Sequence, residues 1–422
     1  MMHRKTVLKN GVRILSEKLD HYRSISIGIW VNAGSREEQP VENGISHFIE
    51  HMIFKGTRNR NSLQIAKQLD VIGGLSNAFT GKEYTCFHSK VLDRHFNTLA
   101  DILSDIFLNS VFDPRDMEKE RQVILQEISM VEDSPDENIY ELFNHLYWMD
   151  HPLGMSTLGT GETVSMLGKE TIGDYIGRFY TADRIVIAAA GNIDHDALVG
   201  FFQPLFEGLE PGNGQKALDK PKIHANVKSQ WKELEQVHIC LGGAAPHLSS
   251  KKRFAGAVFN TLLGGNMSSR LFQEIREKRG LAYSVYSFIS AYVDAGLMGI
   301  YVATDPQQVN EALEVIQQEV IALQNGDISR ADLDAARDHL IGGVLLSAES
   351  TDTRMMRIAK NEYVLGKYMS YEELVSDLEK VTVEEVVHMA KQAFKEDGVS
   401  MVTLGPIKKE DLDLGCLQFA GN

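Results

Sequence analysis

A polar segment near the middle of the 422-residue chain limits the folds that it can adopt. GLEPGNGQKALDKPK, residues 208–222, is poor in apolar residues and rich in Gly, Pro and Lys, which is typical of an interdomain linker. A chain of this length also exceeds the size at which a single hydrophobic core is usual. We therefore predict two domains, residues 1–210 and 225–422, joined by a linker at residues 211–224.

The order of elements recurs in the two predicted domains. Residues 173–191 have the pattern of a helix ending in Phe-Tyr, followed by an apolar strand that runs into a glycine. Residues 386–405 repeat this order with a different spacing. Strand patterns elsewhere, such as residues 25–35 and the strand–turn–strand pattern of residues 73–92, alternate with helical segments. The sequence therefore predicts an α+β protein with two domains of related fold.

The overall charge restricts the classes of partner. Hydrophobic residues make up 43% of the chain and charged residues 24%, as in folded rather than disordered proteins. The formal net charge is −15, which disfavours binding to nucleic acid or to an anionic membrane and favours basic polypeptides. We expect neither nucleic acid nor a membrane among the partners.

The cysteines and the apolar runs indicate a compartment. Cys86, Cys240 and Cys416 lie far apart and cannot form a disulfide framework, which fits a reducing environment. Cys86 and Cys240 lie in strand-like apolar stretches, so we interpret them as small buried side chains rather than nucleophiles. The first twenty residues lack the apolar core of a signal peptide, and no run reaches the roughly 18 apolar residues of a membrane helix. We predict a cytoplasmic protein, with an organelle matrix as the alternative.

The strongest chemical motif is H-x-x-E-H within GISHFIEHMIFKG, residues 44–56. At 100° per residue, His47, Glu50 and His51 fall on one face of a helix, opposite an apolar face formed by Ile45, Phe48, Ile49, Met52 and Ile53. The two imidazoles are one helical turn apart, so both can reach one Zn²⁺ ion. A helix with two histidines on its solvated face by chance remains the alternative, and a zinc site needs a third ligand.

A second helix carries two unusual acids. Along residues 117–131, Glu120 and Glu127 lie inside the apolar stripe rather than opposite it. Carboxylates on a core-facing surface are unfavourable unless a cation neutralises them, as a metal ion would. The alternative is a pair of acids at the edge of the stripe that reach solvent or an arginine.

HFIEHMIFKGT, residues 47–57, resembles the inverted zinc motif of the pitrilysin–insulinase metallopeptidases. The longer context resembles the branch that contains bacterial processing proteases and the β-subunit of the mitochondrial processing peptidase. The resemblance implies one Zn²⁺ per chain, held by His47, His51 and Glu127, with Glu120 supporting the site. It also implies two domains that close like a clamshell around a chamber, the second without a metal site.

Two further segments extend the resemblance. NAFTGKEYTCF, residues 77–87, is similar to the edge strand to which an extended peptide substrate adds by main-chain pairing, although Phe87 stands where tyrosine is expected. The implied substrate-binding residues are Leu75, Ser76, Asn77, Ala78 and Phe79. Residues 268–287 resemble a segment whose Arg and Tyr point across the cavity to the substrate carbonyl. In this chain these are Arg276 and Tyr283.

The sequence thus predicts a zinc-dependent endopeptidase that acts on peptides or unstructured polypeptide segments. Glu50 is expected to move the proton of the attacking water, and Arg276 and Tyr283 to stabilise the oxyanion. Two alternatives remain open, a non-catalytic structural subunit of the same fold and a zinc hydrolase of small amides. The resemblance also implies a homodimer or a heterodimer with a related chain.

Overall fold

The computed structural model describes residues 2–212, 219–395 and 398–419. Part of the predicted linker, residues 213–218, lies outside the described residues. The strands are β1 Met2–Val7, β2 Arg13–Lys18, β3 Ser24–Val31, β4 Leu75–Thr80, β5 Thr85–Leu92, β6 Ile185–Gly191, β7 Val227–Trp231, β8 Val237–Ala244, β9 Ala282–Ala291, β10 Gly296–Thr304 and β11 Ser400–Gly405. The helices are α1 Ile45–Met52, α2 Ser62–Val71, α3 Phe96–Asn109, α4 Pro114–Asp133, α5 Pro135–Tyr147, α6 Gly161–Met166, α7 Lys169–Phe179, α8 His195–Phe206, α9 Arg253–Leu263, α10 Val309–Gln324, α11 Arg330–Ser347, α12 Thr351–Leu365, α13 Tyr371–Glu379 and α14 Val383–Ala393.

The strands form two sheets with the same topology. The first has the order β1-β2-β6-β3-β5-β4, and the second has the order β7-β11-β8-β10-β9. Without β1, each sheet contains five strands from one half of the chain. When the five strands are numbered in sequence order within their half, both sheets have the order first, fifth, second, fourth, third. In each sheet the first and fifth strands pair in parallel, and the other neighbours pair antiparallel. The prediction of two related α+β domains is confirmed.

The strands that lie in the middle of the first sheet are apolar on both faces. β6, with the sequence IVIAAAG, is buried along its whole length, and β3 is buried at seven of its eight positions. Helices α3 and α8 pack against one face, where Leu103 and Phe202 join the strand residues in a common core. Such continuous apolar runs occur where both faces of a sheet are covered.

The second face of each sheet is covered by a helix from the other half of the chain. In the first sheet, Met355 and Ile358 of α12 pack against Trp30. In the second sheet, Ile139 and Phe143 of α5 pack against strands β8, β10 and β11. α5 precedes the predicted linker and α12 follows it, so the two halves exchange helices.

The compact units reflect this exchange. One unit comprises residues 1–130, 155–218 and 347–368, and the other comprises residues 131–154, 219–346 and 369–422. The predicted domains 1–210 and 225–422 therefore assign two segments, 131–154 and 347–368, differently from the structure. The physical reason is that the apolar face of α5 packs on the second sheet, which follows the linker, and the apolar face of α12 packs on the first sheet, which precedes it. The clamshell and its chamber stay predictions.

The cysteines match their predicted role as small buried side chains. Cys86 on β5 and Cys240 on β8 are fully buried, and burial raises the pKa of both thiols well above the usual range. A buried thiol that resists ionisation is a poor nucleophile. Among the helices that the structure describes, none has both the length and the apolar character needed to cross a bilayer.

Candidate metal centre

The histidine helix α1 packs by its apolar face and is preceded by a glycine. Ile45, Phe48, Ile49 and Met52 are buried in a core with α4 and α7. The helix is preceded by Gly44, whose φ of +93° is a left-handed conformation that favours glycine. Glycine has no side chain that could cap the first turn, so the free backbone N–H groups need another partner.

Glu38 supplies that partner. Its carboxylate accepts hydrogen bonds from the backbone N–H groups of Gly44 at 2.8 Å and Ser46 at 2.9 Å, and from the Asn43 amide at 2.8 Å. The side chain is buried, and this burial raises its pKa to about 7, although the two backbone hydrogen bonds lower it. The sequence alone does not reveal this role, because Glu38 precedes the helix by seven residues and belongs to no local capping motif.

The structure brings the three predicted ligands together. The ligand atoms of His47, His51 and Glu127 all lie within 4.8 Å of one another, and no other such group of three occurs among the described residues. Oε2 of Glu127 lies 3.7 Å from Nε2 of His47 and 3.5 Å from Nε2 of His51. Tetrahedral Zn²⁺ with ligands at about 2.1 Å separates its donor atoms by about 3.4 Å. Two imidazoles and a carboxylate at this spacing fit zinc.

The protonation state of His47 suits a ligand. Burial is the main cause that lowers its pKa to about 4, and the neighbouring His51 lowers it further. The imidazole is therefore neutral at physiological pH, as coordination through a ring nitrogen requires.

Glu120 lies behind His51 rather than in the ligand group. Its Oε2 atom is 3.2 Å from Nδ1 of His51, so the ring donates that N–H to the carboxylate and turns Nε2 towards Glu127. Such a partner fixes the tautomer and the orientation of a ligating histidine. Oε1 of the same carboxylate lies 2.6 Å from Nζ of Lys55. Lys55 was not among the predicted site residues, although it stands only four residues after His51 in the sequence.

Glu50 projects beside the ligands and is held by the edge strand. The hydroxyl of Thr80, the last residue of β4, donates a hydrogen bond of 2.5 Å to Oε2 of Glu50. Burial raises the pKa of Glu50, while the bond from Thr80 lowers it. A carboxyl group with a raised pKa is suited to accept a proton near neutral pH.

A cavity of about 400 Å³ adjoins these groups. Its lining includes Glu50 and His51 of α1 and Ser76, Asn77 and Ala78 of β4. Because β4 is the last strand of its sheet, its outer main-chain groups pair with no other strand in the described part of the chain. Of the five residues predicted to bind substrate, these three border the cavity.

The other two residues of the predicted substrate strand lie away from it. Leu75 is 72% exposed at the start of β4, and the ring of Phe79 packs edge-on against Trp30 with the centroids 5.5 Å apart. Neither Leu75 nor Phe79 is among the residues that line this cavity.

Arg276 and Tyr283 lie together in the second compact unit. Arg276 is on a π-helical turn, Phe272–Glu277, and its guanidinium lies 4.3 Å from the centroid of the Tyr283 ring. Tyr283 occupies a bulge of β9, because Ala282 and Ser284 pair with consecutive residues of β10. The bulge leaves the tyrosine 75% exposed. Both irregularities are frequent near functional sites, and the oxyanion role of the pair stays a prediction.

Comparison with known proteins identifies the family. The family model described as "Insulinase (Peptidase family M16)" matches residues 13–161, and the one described as "Peptidase M16 inactive domain" matches residues 167–340. The chain is 41% identical over 396 residues to "Uncharacterized zinc protease YmxG" of Bacillus subtilis (strain 168), with 94% of this chain and 97% of that protein covered. The chain belongs to peptidase family M16.

A further relative and two solved structures are also similar to this chain. A protein of Rickettsia felis named "Uncharacterized zinc protease" is 36% identical over 403 residues, which cover 94% of this chain and 96% of the relative. Among solved structures, a protease from Helicobacter pylori superposes with a TM-score of 0.89 at 22% identity, covering 96% of this chain and 99% of that chain. An M16 inactive domain from Pseudomonas fluorescens gives 0.90 at 17% identity, with 97% and 99% covered. The resemblance stated from the sequence is confirmed at the level of the family.

Proposed function

We propose that this M16 chain is a zinc-dependent endopeptidase that cleaves peptide bonds in extended, unstructured polypeptide segments. The convergence of His47, His51 and Glu127 at zinc-binding distances, with Glu50 beside them, carries the proposal. The relatives named as zinc proteases support the metal and the reaction class.

His47, His51 and Glu127 would hold the ion. A zinc ion bound there would act as a Lewis acid, which polarises the substrate carbonyl and lowers the pKa of water towards neutrality. Glu50 takes a proton from the attacking water and later delivers it to the leaving amine. Thr80 orients the accepting carboxylate during both transfers through its hydroxyl. Tyr283 and Arg276 are proposed to stabilise the negative charge that develops on the carbonyl oxygen.

The edge strand favours polypeptides over small amides as substrates. An extended peptide can pair with the outer main-chain groups of β4, while its side chains alternate between the cavity and solvent. Ser76, Asn77 and Ala78 line the cavity next to Glu50, so a strand added there would pass the proposed base. A small amide would make none of these main-chain contacts. The acidic net charge of −15 further favours basic segments.

A non-catalytic structural subunit remains the alternative from another class. A subunit of that kind has no need for a paired acid–hydroxyl contact at a metal site. Here the contact between Thr80 and Glu50 is present together with all three candidate ligands, which favours the enzyme.

The test compares the zinc-loaded protein with its Glu50→Gln variant on a panel of unstructured peptides. We expect the parent to cleave peptides internally, and the variant to retain zinc by elemental analysis while losing about 10²–10⁴-fold in kcat. Glu170→Gln, an exposed change on α7, serves as the matched control and should retain full activity. A parent protein that binds zinc stoichiometrically and cleaves no peptide would refute the proposal. A Glu50→Gln variant with the same turnover as the parent would show that Glu50 is not the general base.

A further inference from the structure

Three side chains form a continuous line of contacts behind the metal centre. Lys55 Nζ lies 2.6 Å from Oε1 of Glu120, and Oε2 of Glu120 lies 3.2 Å from Nδ1 of His51. The lysine and the histidine therefore engage different oxygens of one carboxylate. A carboxylate held at both oxygens has one orientation, whereas a carboxylate held at one oxygen can rotate.

The surroundings of Glu120 make the lysine important. The glutamate is buried on α4, where Met117 and Ile124 belong to the adjoining core. A buried carboxylate is unfavourable unless it is paired and hydrogen-bonded. In the described part of the chain, Lys55 is the only lysine or arginine that forms a salt bridge with Glu120.

The position of Lys55 links it to the histidine helix. It lies three residues after the end of α1, and its backbone N–H bonds to the carbonyl of Met52, so the turn that follows the helix fixes its main chain. The side chain is about one-third exposed, which keeps the ammonium group partly solvated. The same turn therefore places His51 and the cation that anchors its hydrogen-bond partner.

We propose that Lys55 is a positioning residue for the zinc ligand His51, acting through Glu120. The ammonium group anchors Oε1, so Oε2 stays directed at Nδ1 of the imidazole and Nε2 stays directed at the metal position. Without the anchor, the carboxylate can turn towards solvent or towards the ligand group, and the ring loses its fixed orientation. The inference rests on the proposed zinc site and adds a residue that is neither a ligand nor a proton carrier.

Because Lys55 also lines the cavity beside Glu50, the test is done without substrate. Zinc affinity of the purified protein is measured by competition with a chromophoric chelator, for the parent and for Lys55→Met. Loss of a partner that orients a ligating histidine typically weakens metal binding by about 10–100-fold, and we expect the low end of this range. Lys55→Arg should recover most of the affinity. Lys67→Met, an exposed change on α2, should equal the parent.

A double-mutant cycle tests the route of the effect. If Lys55 acts through Glu120, Lys55→Met should weaken zinc binding in the parent and leave it unchanged in a Glu120→Gln background. An equal loss in both backgrounds would overturn the inference, as would unchanged affinity in the parent background. If Lys55→Met fails to fold, Lys55→Gln replaces it in the same cycle. A parent that binds no zinc would refute the proposed function instead, so the two failures are distinguishable.

Discussion

The cap that Glu38 places on the histidine helix can be tested by removing it. Glu38→Ala deletes the acceptor for the backbone N–H groups of Gly44 and Ser46 and for the amide of Asn43. Each buried donor left without a partner costs about 1–3 kcal/mol. The raised pKa of Glu38 shows that burying its ionised form is itself unfavourable, so part of this loss is offset. We expect the free energy of unfolding to fall by about 2–4 kcal/mol.

The assay is thermal unfolding of the metal-free protein. A loss of 2–4 kcal/mol should lower Tm by about 5–15 °C, given roughly 2–4 °C per kcal/mol for units of 150–250 residues. Zinc affinity should fall as well, because His47 is the third residue of the helix whose first turn has lost its cap. Glu170→Ala, on the exposed side of α7, is the control and should melt with the parent. A Glu38→Ala protein with the Tm and zinc affinity of the parent would refute the reasoning.

The same residue predicts a dependence on pH. Burial raises the pKa of Glu38 from its ordinary value of 4.5 to about 7, so between these values the folded state binds more protons than the unfolded state. The stability contributed by this group is therefore full below about pH 4.5 and is lost as the pH rises through 7. Glu38→Gln does not titrate, so the Tm of the variant relative to the parent should increase from pH 5 to pH 8. A constant difference would contradict the assignment.

Three further results are expected. Thr80→Val should lower kcat by roughly 10–100-fold, since it removes a hydrogen bond to a carboxylate worth about 1.5–3 kcal/mol, and Thr80→Ser should restore the rate while zinc content stays unchanged in both. Removal of zinc by a chelator should abolish cleavage and lower Tm, and zinc added back at 100 times its Kd should raise the free energy of unfolding by about 2.7 kcal/mol. A chelated protein that still cleaves peptides would exclude metal catalysis. Tyr283→Phe should retain zinc and lose roughly 10²–10³-fold in kcat, and a variant at the parent rate would remove the hydroxyl from the oxyanion site.

The part of the site that could be predicted is the part that lies on one helix. The polar face of α1 follows from helical periodicity alone, so His47, Glu50 and His51 could be grouped before the structure was known. Glu127 could be flagged as unusual by its place in an apolar stripe, and the family resemblance selected it as a ligand. Glu38 was not predicted because its contacts depend on how a loop packs against the start of α1, which no local pattern records. Lys55 stands four residues after His51, but its contact with Glu120 depends on how two separate helices pack.

The fold was predictable in outline for a similar reason. The recurrence of a helix and an apolar strand at residues 173–191 and 386–405 indicated two related domains, and these segments are the equivalent pairs α7–β6 and α14–β11. The exchange of α5 and α12 was not predictable. Each helix has an ordinary amphipathic pattern. Such a pattern predicts that one face is buried, but it does not indicate which sheet covers that face.

The helix exchange has a consequence for the order of events during synthesis on the ribosome. The last strand of the first sheet ends at Gly191, but α12, which covers Trp30, begins only at Thr351. At a synthesis rate of about 5–20 residues per second, the apolar face around Trp30 stays uncovered for roughly 8–30 s before α12 is made. The apolar face of α5 is likewise uncovered at first, because the strands of the second sheet are synthesised after this helix. The nascent chain thus carries two unmatched apolar surfaces until α12 and the strands of the second sheet have been synthesised, and this interval is when it is most exposed to aggregation and to chaperone binding.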